Sequence, residues 1–314
     1  MGEFKKIFKL IITWVAIAIL FLCIVDFIFY TFQPKDITEF QNQYNEYAKI
    51  RGLKPLRLKY MKMIPFDIKN VREYGRPTLY GNSNKRPILI FGCSYMQGSG
   101  LKDNQTLSYK LYKLTNRTTY NKAIGGSGSQ NMLNILQHED FYKDVPDAEY
   151  IFYTFIWDHL QRLYGYYLSP YDNKLNLRYD FRNGKLEEIK PAFLPFYSLY
   201  SVKRIQDYIK YTRSINDEEA FKLYTAIMVE SKKLTDKHYP NSKFVIVLYK
   251  DGGRVIFDDR QIKTLESKGF KVINAEKLVG HELTSSKYRI EDKEHPSEAA
   301  WNEVAPKLAK ELNL

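Results

Sequence analysis

Pro87-Ile88-Leu89-Ile90-Phe91-Gly92-Cys93-Ser94-Tyr95-Met96-Gln97-Gly98-Ser99-Gly100-Leu101 carries an unbroken apolar run into a glycine, a cysteine and a serine. Continuous rather than alternating apolar residues suit a strand covered on both faces, the habit of parallel sheets in α/β proteins. A serine just past the carboxyl end of such a strand stands where open α/β sheets place their ligands, with its hydroxyl and its N–H both facing the cleft. Read alone, Ser94 fits the cap of a following helix better than it fits a nucleophile.

Working outward, further apolar runs recur at Thr119-Tyr120, Tyr150 to Phe155, Phe244 to Tyr249 and Val272-Ile273. Helix-like stretches separate them, at Lys110 to Leu114, Asn131 to Gln137, Glu218 to Thr235 and Ala299 to Leu312. This alternation predicts an α/β fold, a three-layer αβα sandwich around a flavodoxin-like parallel sheet. The rhythm breaks over about 160–216, where Tyr164, Tyr166, Tyr167, Tyr171, Tyr179, Tyr197 and Tyr200 accumulate, so an insertion is expected there. Tyrosine faces stack on sugar rings, and they also serve as ordinary half-buried packing in small hairpins.

Two more segments complete a chemical pattern. Asn121-Lys122-Ala123-Ile124-Gly125-Gly126-Ser127-Gly128-Ser129-Gln130 is a glycine-rich turn after the second strand, and missing side chains there let backbone N–H groups reach a ligand oxygen. It is a poor dinucleotide fingerprint, because Asn131 stands where the third glycine belongs. A P-loop would need Gly-Lys, and the nucleophile elbow GxSxG fails at Met96. Near the C-terminus comes Glu291-Asp292-Lys293-Glu294-His295-Pro296-Ser297-Glu298. A neutral imidazole accepts a serine proton only if its other nitrogen is held as a donor, and an Asp three residues earlier can hold it. Of the histidines at 138, 159, 238, 281 and 295, only His295 has an Asp at that spacing. Asp-x-x-His by itself is common on surfaces; its conjunction with the serine and the glycine turn, in this order, points to a catalytic triad of Ser94, Asp292 and His295.

These blocks resemble those of the SGNH (GDSL-like) hydrolase family over roughly residues 86–314, apart from the Tyr-rich insertion. Gly92-Cys93-Ser94 looks like the family's Gly-Asp-Ser with cysteine in place of aspartate. Asn121 through Gly126 is similar to the second block, and the resemblance makes the N–H groups of Ser94 and Gly126 the oxyanion donors. The third block departs: in Phe155-Ile156-Trp157-Asp158-His159-Leu160-Gln161-Arg162, Trp157 or Asp158 stands where an oxyanion asparagine is expected. An ionised Asp158 would repel an oxyanion, so Asp158, His159 and Arg162 are accessory candidates that orient the loop or the serine, or a buried Asp–Arg pair with structural duty. The implied activity is ester hydrolysis or acyl transfer by a serine enzyme, without a metal or organic cofactor. Neither HExxH nor CxxC occurs, and the two cysteines, Cys23 and Cys93, make no disulfide framework.

Residues 10–32 are almost wholly apolar or aromatic, and at about 1.5 Å per residue they can span a hydrocarbon core of about 30 Å. Phe27 to Phe32 offers no small-x-small cleavage site, so an uncleaved signal anchor is expected. Lys5, Lys6 and Lys9 precede the run more closely than Lys35, Lys49 and Arg51 follow it, which places residues 1–9 in the cytoplasm and the C-terminal domain outside, a single-pass membrane protein. Residues 33–85, broken by Pro34, Pro55, Pro65 and Pro77, read as a stalk and domain edge. Residues 1–32 hold three lysines against Glu3 and Asp26, a net of +1, which leaves +11 of the total +12 to the remainder. The expected partners are a cell-surface glycan or a small acylated ester, with membrane lipid around the N-terminal helix; no nucleic acid partner is expected. Two other readings stay open, a glycan-binding or assembly protein that has lost full activity and an intracellular hydrolase of reversed topology.

Overall fold

A computed structural model describes residues 75–163, 179–182, 184–188, 217–250 and 257–314, together with Thr13, Trp14, Ile17, Ala18, Leu20, Phe21 and Ile24. Residue contacts divide the chain into two units, 1–62 with 190–214 and 63–189 with 215–314. In the first, the seven described residues are all helical. Among the described residues no helix is long and apolar enough to cross a membrane; the expected span at 10–32 lies mostly outside them.

The second unit is built on five parallel strands, β1 (Ile88–Phe91), β2 (Thr119–Asn121), β3 (Tyr150–Phe155), β6 (Lys243–Leu248) and β7 (Lys271–Asn274), in the order β2-β1-β3-β6-β7. A separate antiparallel hairpin pairs β4 (Tyr179–Arg182) with β5 (Lys185–Glu188). Without the hairpin the order is 2-1-3-4-5, the doubly wound flavodoxin pattern, in which ligands gather at the carboxyl ends of the strands where the order reverses, here β1 and β3.

The strands can be apolar throughout because each face has its own helical cover. Leu89, Phe91, Ile151, Tyr153, Phe155, Ile246 and Leu248 point to one core, shared with α3 (Ser129–Leu136), α4 (Glu139–Asp144), α5 (Asp158–Leu163), α6 (Asp217–His238) and α7 (Asp259–Ser267). Ile88, Ile90, Tyr150, Phe152, Val245 and Val247 point to the other, shared with α2 (Leu107–Thr115), α8 (Ala275–Val279) and α9 (Glu298–Leu312). Alternate residues of every strand therefore serve opposite layers. Trp301 on α9 is fully buried against Tyr249, ring centroids 5.5 Å apart, and its Nε1 has no acceptor among the described residues. Trp301→Ala is expected to lower the unfolding free energy by about 3–5 kcal/mol in urea titration. Trp301→Phe should cost far less, because it keeps most of the ring and deletes an unsatisfied N–H.

One boundary differs from the sequence reading. Leu160 and Leu163 lie in the first core on α5, so the break expected at 160 begins after this helix; a six-residue helix is too short to show a period. Tyr179 of the hairpin is buried and donates to Gln137 Oε1 at 3.0 Å, a packing role; the other tyrosines of the insertion lie outside the described residues. At the other end, residues 75–82 run along the free edge of β2. Arg76 N–H donates to Asn121 O at 3.0 Å, Leu79 exchanges both backbone bonds with Thr119, and Asn82 N–H reaches Asn116 O at 2.8 Å. The end of the expected stalk thus forms the domain edge itself.

Candidate active site

Directly after β1 the chain makes one turn of helix, α1 (Ser94–Gln97), with Ser94 as its first residue. Cys93 is fully buried in the second core, where a thiol packs as a small apolar group. Ser94 stays partly exposed at the strand ends. His295 is brought to it from 201 positions away: Nε2 lies 2.7 Å from Ser94 Oγ, and Nδ1 lies 2.6 Å from Asp292 Oδ2.

The loop before α9 fixes that geometry. Asp292 Oδ1 accepts the N–H groups of Glu294 and His295, both at 2.9 Å, while Oδ2 faces the imidazole. Burial raises the Asp292 pKa, but these two N–H groups and the imidazole outweigh it and hold the carboxyl below its usual value. An ionised carboxylate can only accept, so Nδ1 carries the proton and Nε2 is left to accept from the Ser94 hydroxyl. Ile290 N–H bonds His295 O at 3.0 Å and Arg289 bridges Pro296, which closes the loop as a small hairpin. Arg289 is buried beneath it, donating to Glu294 O, to Lys250 O at 2.7 Å and to Tyr95 OH at 3.3 Å. The Tyr95 ring in turn packs against the His295 ring, centroids 5.3 Å apart.

The glycine turn lies beside the serine. Ser127 N–H bonds Ile124 O at 3.1 Å, and the tight turn between them needs a positive φ at its third position, where Gly126 has φ +76°. A methyl group on Gly125 would stand 3.9 Å from Ser94 Cβ and 3.2 Å from Gln97 Oε1. The turn is tied to the strand below Ser94 by Ile124 N–H to Gly92 O at 3.0 Å and by Ser127 Oγ donating to the same oxygen at 2.8 Å. Among the described residues no acceptor takes the N–H of Ser94 or of Gly126.

The third block divides. Arg162 donates to Ser127 O at 2.6 Å and so braces the glycine turn, with Asp158 Oδ2 3.9 Å from its guanidinium. His159 turns into the first core, fully buried, its Nδ1 2.7 Å from Tyr153 OH. Burial, then the nearby Arg162 charge, push its pKa well below the ordinary value, so it stays neutral. The structure thus brings Ser94, Asp292, His295 and the glycine turn together and makes Arg162 a brace of that turn, whereas His159, an accessory candidate in the sequence, is turned away into the core. The sequence reading missed Arg76, Ser127 and Arg289, which act largely on backbone carbonyls and so have no recognisable motif. Among the described residues no group of three or more His, Cys, Asp or Glu could hold a metal ion.

No protein-family model matches the sequence, and no curated protein matches it significantly. Solved structures similar in fold include an acetyl xylan esterase from Butyrivibrio proteoclasticus, 11% identical, with 73% of this chain and 64% of that protein covered at a TM-score of 0.41. A lipolytic G-D-S-L family member from Veillonella parvula is 13% identical over 72% of this chain and 97% of its own, TM-score 0.42. A carbohydrate esterase of family 2 from Corynascus thermopiles is 15% identical over 76% and 68%, TM-score 0.42. The chain thus spans just under two thirds of the length of the first of these.

Proposed function

We propose that this chain is a serine esterase or O-acyltransferase of the SGNH type. The single observation that carries the reading is the unbroken relay from Ser94 Oγ through His295 to Asp292, with links of 2.7 and 2.6 Å. In the proposed cycle His295 Nε2 takes the Ser94 proton as Oγ attacks an ester carbonyl. The oxyanion that forms is met by the Ser94 and Gly126 N–H groups, which sit at the head of a helical turn and in the glycine turn. Collapse expels the alcohol with the proton from His295 and leaves an acyl group on Ser94. Water or a sugar hydroxyl then gives its proton to His295, attacks the acyl carbon, and releases product as the proton returns to Ser94. No step in this cycle requires a cofactor.

The finer reading is a membrane-anchored enzyme that adds or removes acyl groups, acetyl foremost, on cell-surface glycans. The apolar run at 10–32 supports the anchor, and the +11 charge of the rest of the chain supports an anionic surface or polymer nearby. Protease protection of the C-terminal domain in intact cells would count against an outward-facing domain. For the chemistry, a fluorophosphonate probe is expected to label wild type on Ser94 and to leave Ser94→Ala unlabelled. A folded wild-type protein that takes no label would transfer the case to a non-catalytic glycan-binding protein. Turnover of a chromogenic acetyl ester, with and without added glycans, separates the two chemistries: transfer to sugar appears as acetylated glycan, whereas a rate and product indifferent to glycan marks a plain esterase.

A further inference from the structure

Resting on that reading, we infer that Arg76, from the segment ahead of the sheet, is a positioning residue for the Ser94 turn. α1 is four residues long, and a single helical turn has no stability of its own, since fixing its dihedrals costs more than its few hydrogen bonds return. Something outside the turn must hold it. At its carboxyl end Gly98 adopts the left-handed conformation (φ 77°, ψ 47°), and its N–H bonds Ser94 O at 2.9 Å. Of the carbonyls beyond that, Gly98 O takes the Leu101 N–H at 3.0 Å, and the remaining bonds to this stretch come from outside the turn.

Arg76 supplies three of these bonds. Its Nε donates to Gln97 O at 2.7 Å, while Nη2 donates to Gly98 O and, at 2.9 Å, to Leu101 O; Nη1 pairs with the Asp103 carboxylate. The side chain is 3% exposed against 53% for Asp103, so the guanidinium is a buried fork and not a surface ion pair. A cation at the carboxyl end of the turn also opposes the partial negative charge gathered there. Arg76 is itself pinned through its own N–H to Asn121 O, and Asn121 Nδ2 holds Met96 O at 2.9 Å. The carbonyls of Met96, Gln97 and Gly98 are thus gripped by two side chains from the sheet edge, leaving the opposite end of the turn, with the Ser94 N–H and hydroxyl, facing the cleft. Losing the fork lets the turn shift while the substrate-facing walls remain, so the loss falls on the chemical step.

The test uses the full chain with Arg76→Ala, Arg76→Lys and, as a control, Arg86→Ala, whose guanidinium pairs with Asp147 near the amino ends of β1 and β3. The readouts are the fluorophosphonate labelling rate, kcat and KM on a chromogenic acetyl ester, each normalised to folded protein. For Arg76→Ala, kcat and the labelling rate should fall by about 10–100-fold with KM within about threefold, as expected for a sub-ångström to 1 Å misplacement of a nucleophile. Added guanidinium ion should restore part of the rate, which a general loss of stability would not allow. Arg76→Lys should recover only partly, because an ammonium cannot fork across three carbonyls, and Arg86→Ala should match wild type. Folded Arg76→Ala with wild-type kcat and labelling, or with a loss confined to KM, would overturn the inference. If Arg76→Ala does not fold, Arg76→Lys decides, and wild-type kcat in that variant overturns it equally. An unlabelled wild type would instead strike the hydrolase reading itself, independently of Arg76.

Discussion

Ser94→Ala, His295→Ala and the double variant are expected to lose the same factor in ester turnover, about 10⁶ in kcat, because the two side chains act as one unit. At 2.7 Å the imidazole has a proton to take only while the hydroxyl is present, and the hydroxyl is a weak nucleophile at neutral pH without it. Removing either therefore removes the covalent path, and removing the second finds nothing left to lose. What survives, about 10³–10⁴-fold over the uncatalysed reaction, should come from the N–H groups of Ser94 and Gly126 and from binding. Single-turnover assays on a chromogenic acetyl ester would check this. A double variant slower than either single one by the product of their losses would show that serine and histidine work independently.

Asp292→Asn should cost about 10⁴-fold in kcat near neutral pH while leaving the fold intact. The reason lies in the turn. Oδ1 accepts two backbone N–H groups, and this pins the orientation of any isosteric amide, whose oxygen must take that place. Its NH₂ then faces His295 Nδ1, which is forced to accept, so that Nε2 carries the proton and can no longer take one from Ser94. Asp292→Ala removes the wrong donor along with the right acceptor, so it should be less stable than the amide variant yet no less active by much. Stability against pH gives a second readout. The Asp292 pKa is depressed in the fold, so its contribution is present above the ordinary aspartate value of about 3.9 and is lost as pH falls through the lower folded value. The amide variant should lack that part of the acid-side slope in thermal melts taken across this range.

The sheet is legible in the residues because its strands are covered on both faces, and so appear as solid apolar runs that end within a residue or so of the observed strands. The relay is legible because Asp-x-x-His is a local geometry, fixed by one turn of chain. Elements stabilised by distant partners are less visible. α1, α4 and α8 are four to six residues long, and α5 runs into the stretch where the insertion is expected to begin. Arg76 and Arg289 bind main-chain oxygens, which every residue possesses, so no pairing pattern announces them. Cys93, which stands where the resembled motif has aspartate, has a plain rationale in a position that the second core fills.

The way residues 75–82 lie on β2 bears on how the domain can be cut for study. A fragment begun at Arg86, where the first apolar run suggests the domain starts, would strip Thr119 of both partners supplied by Leu79 and leave a bare strand rim. Such a rim is a template for another molecule's strand. The shortened protein should self-associate on concentration, and fragments intended for crystallisation or assay have to begin upstream of Gly75.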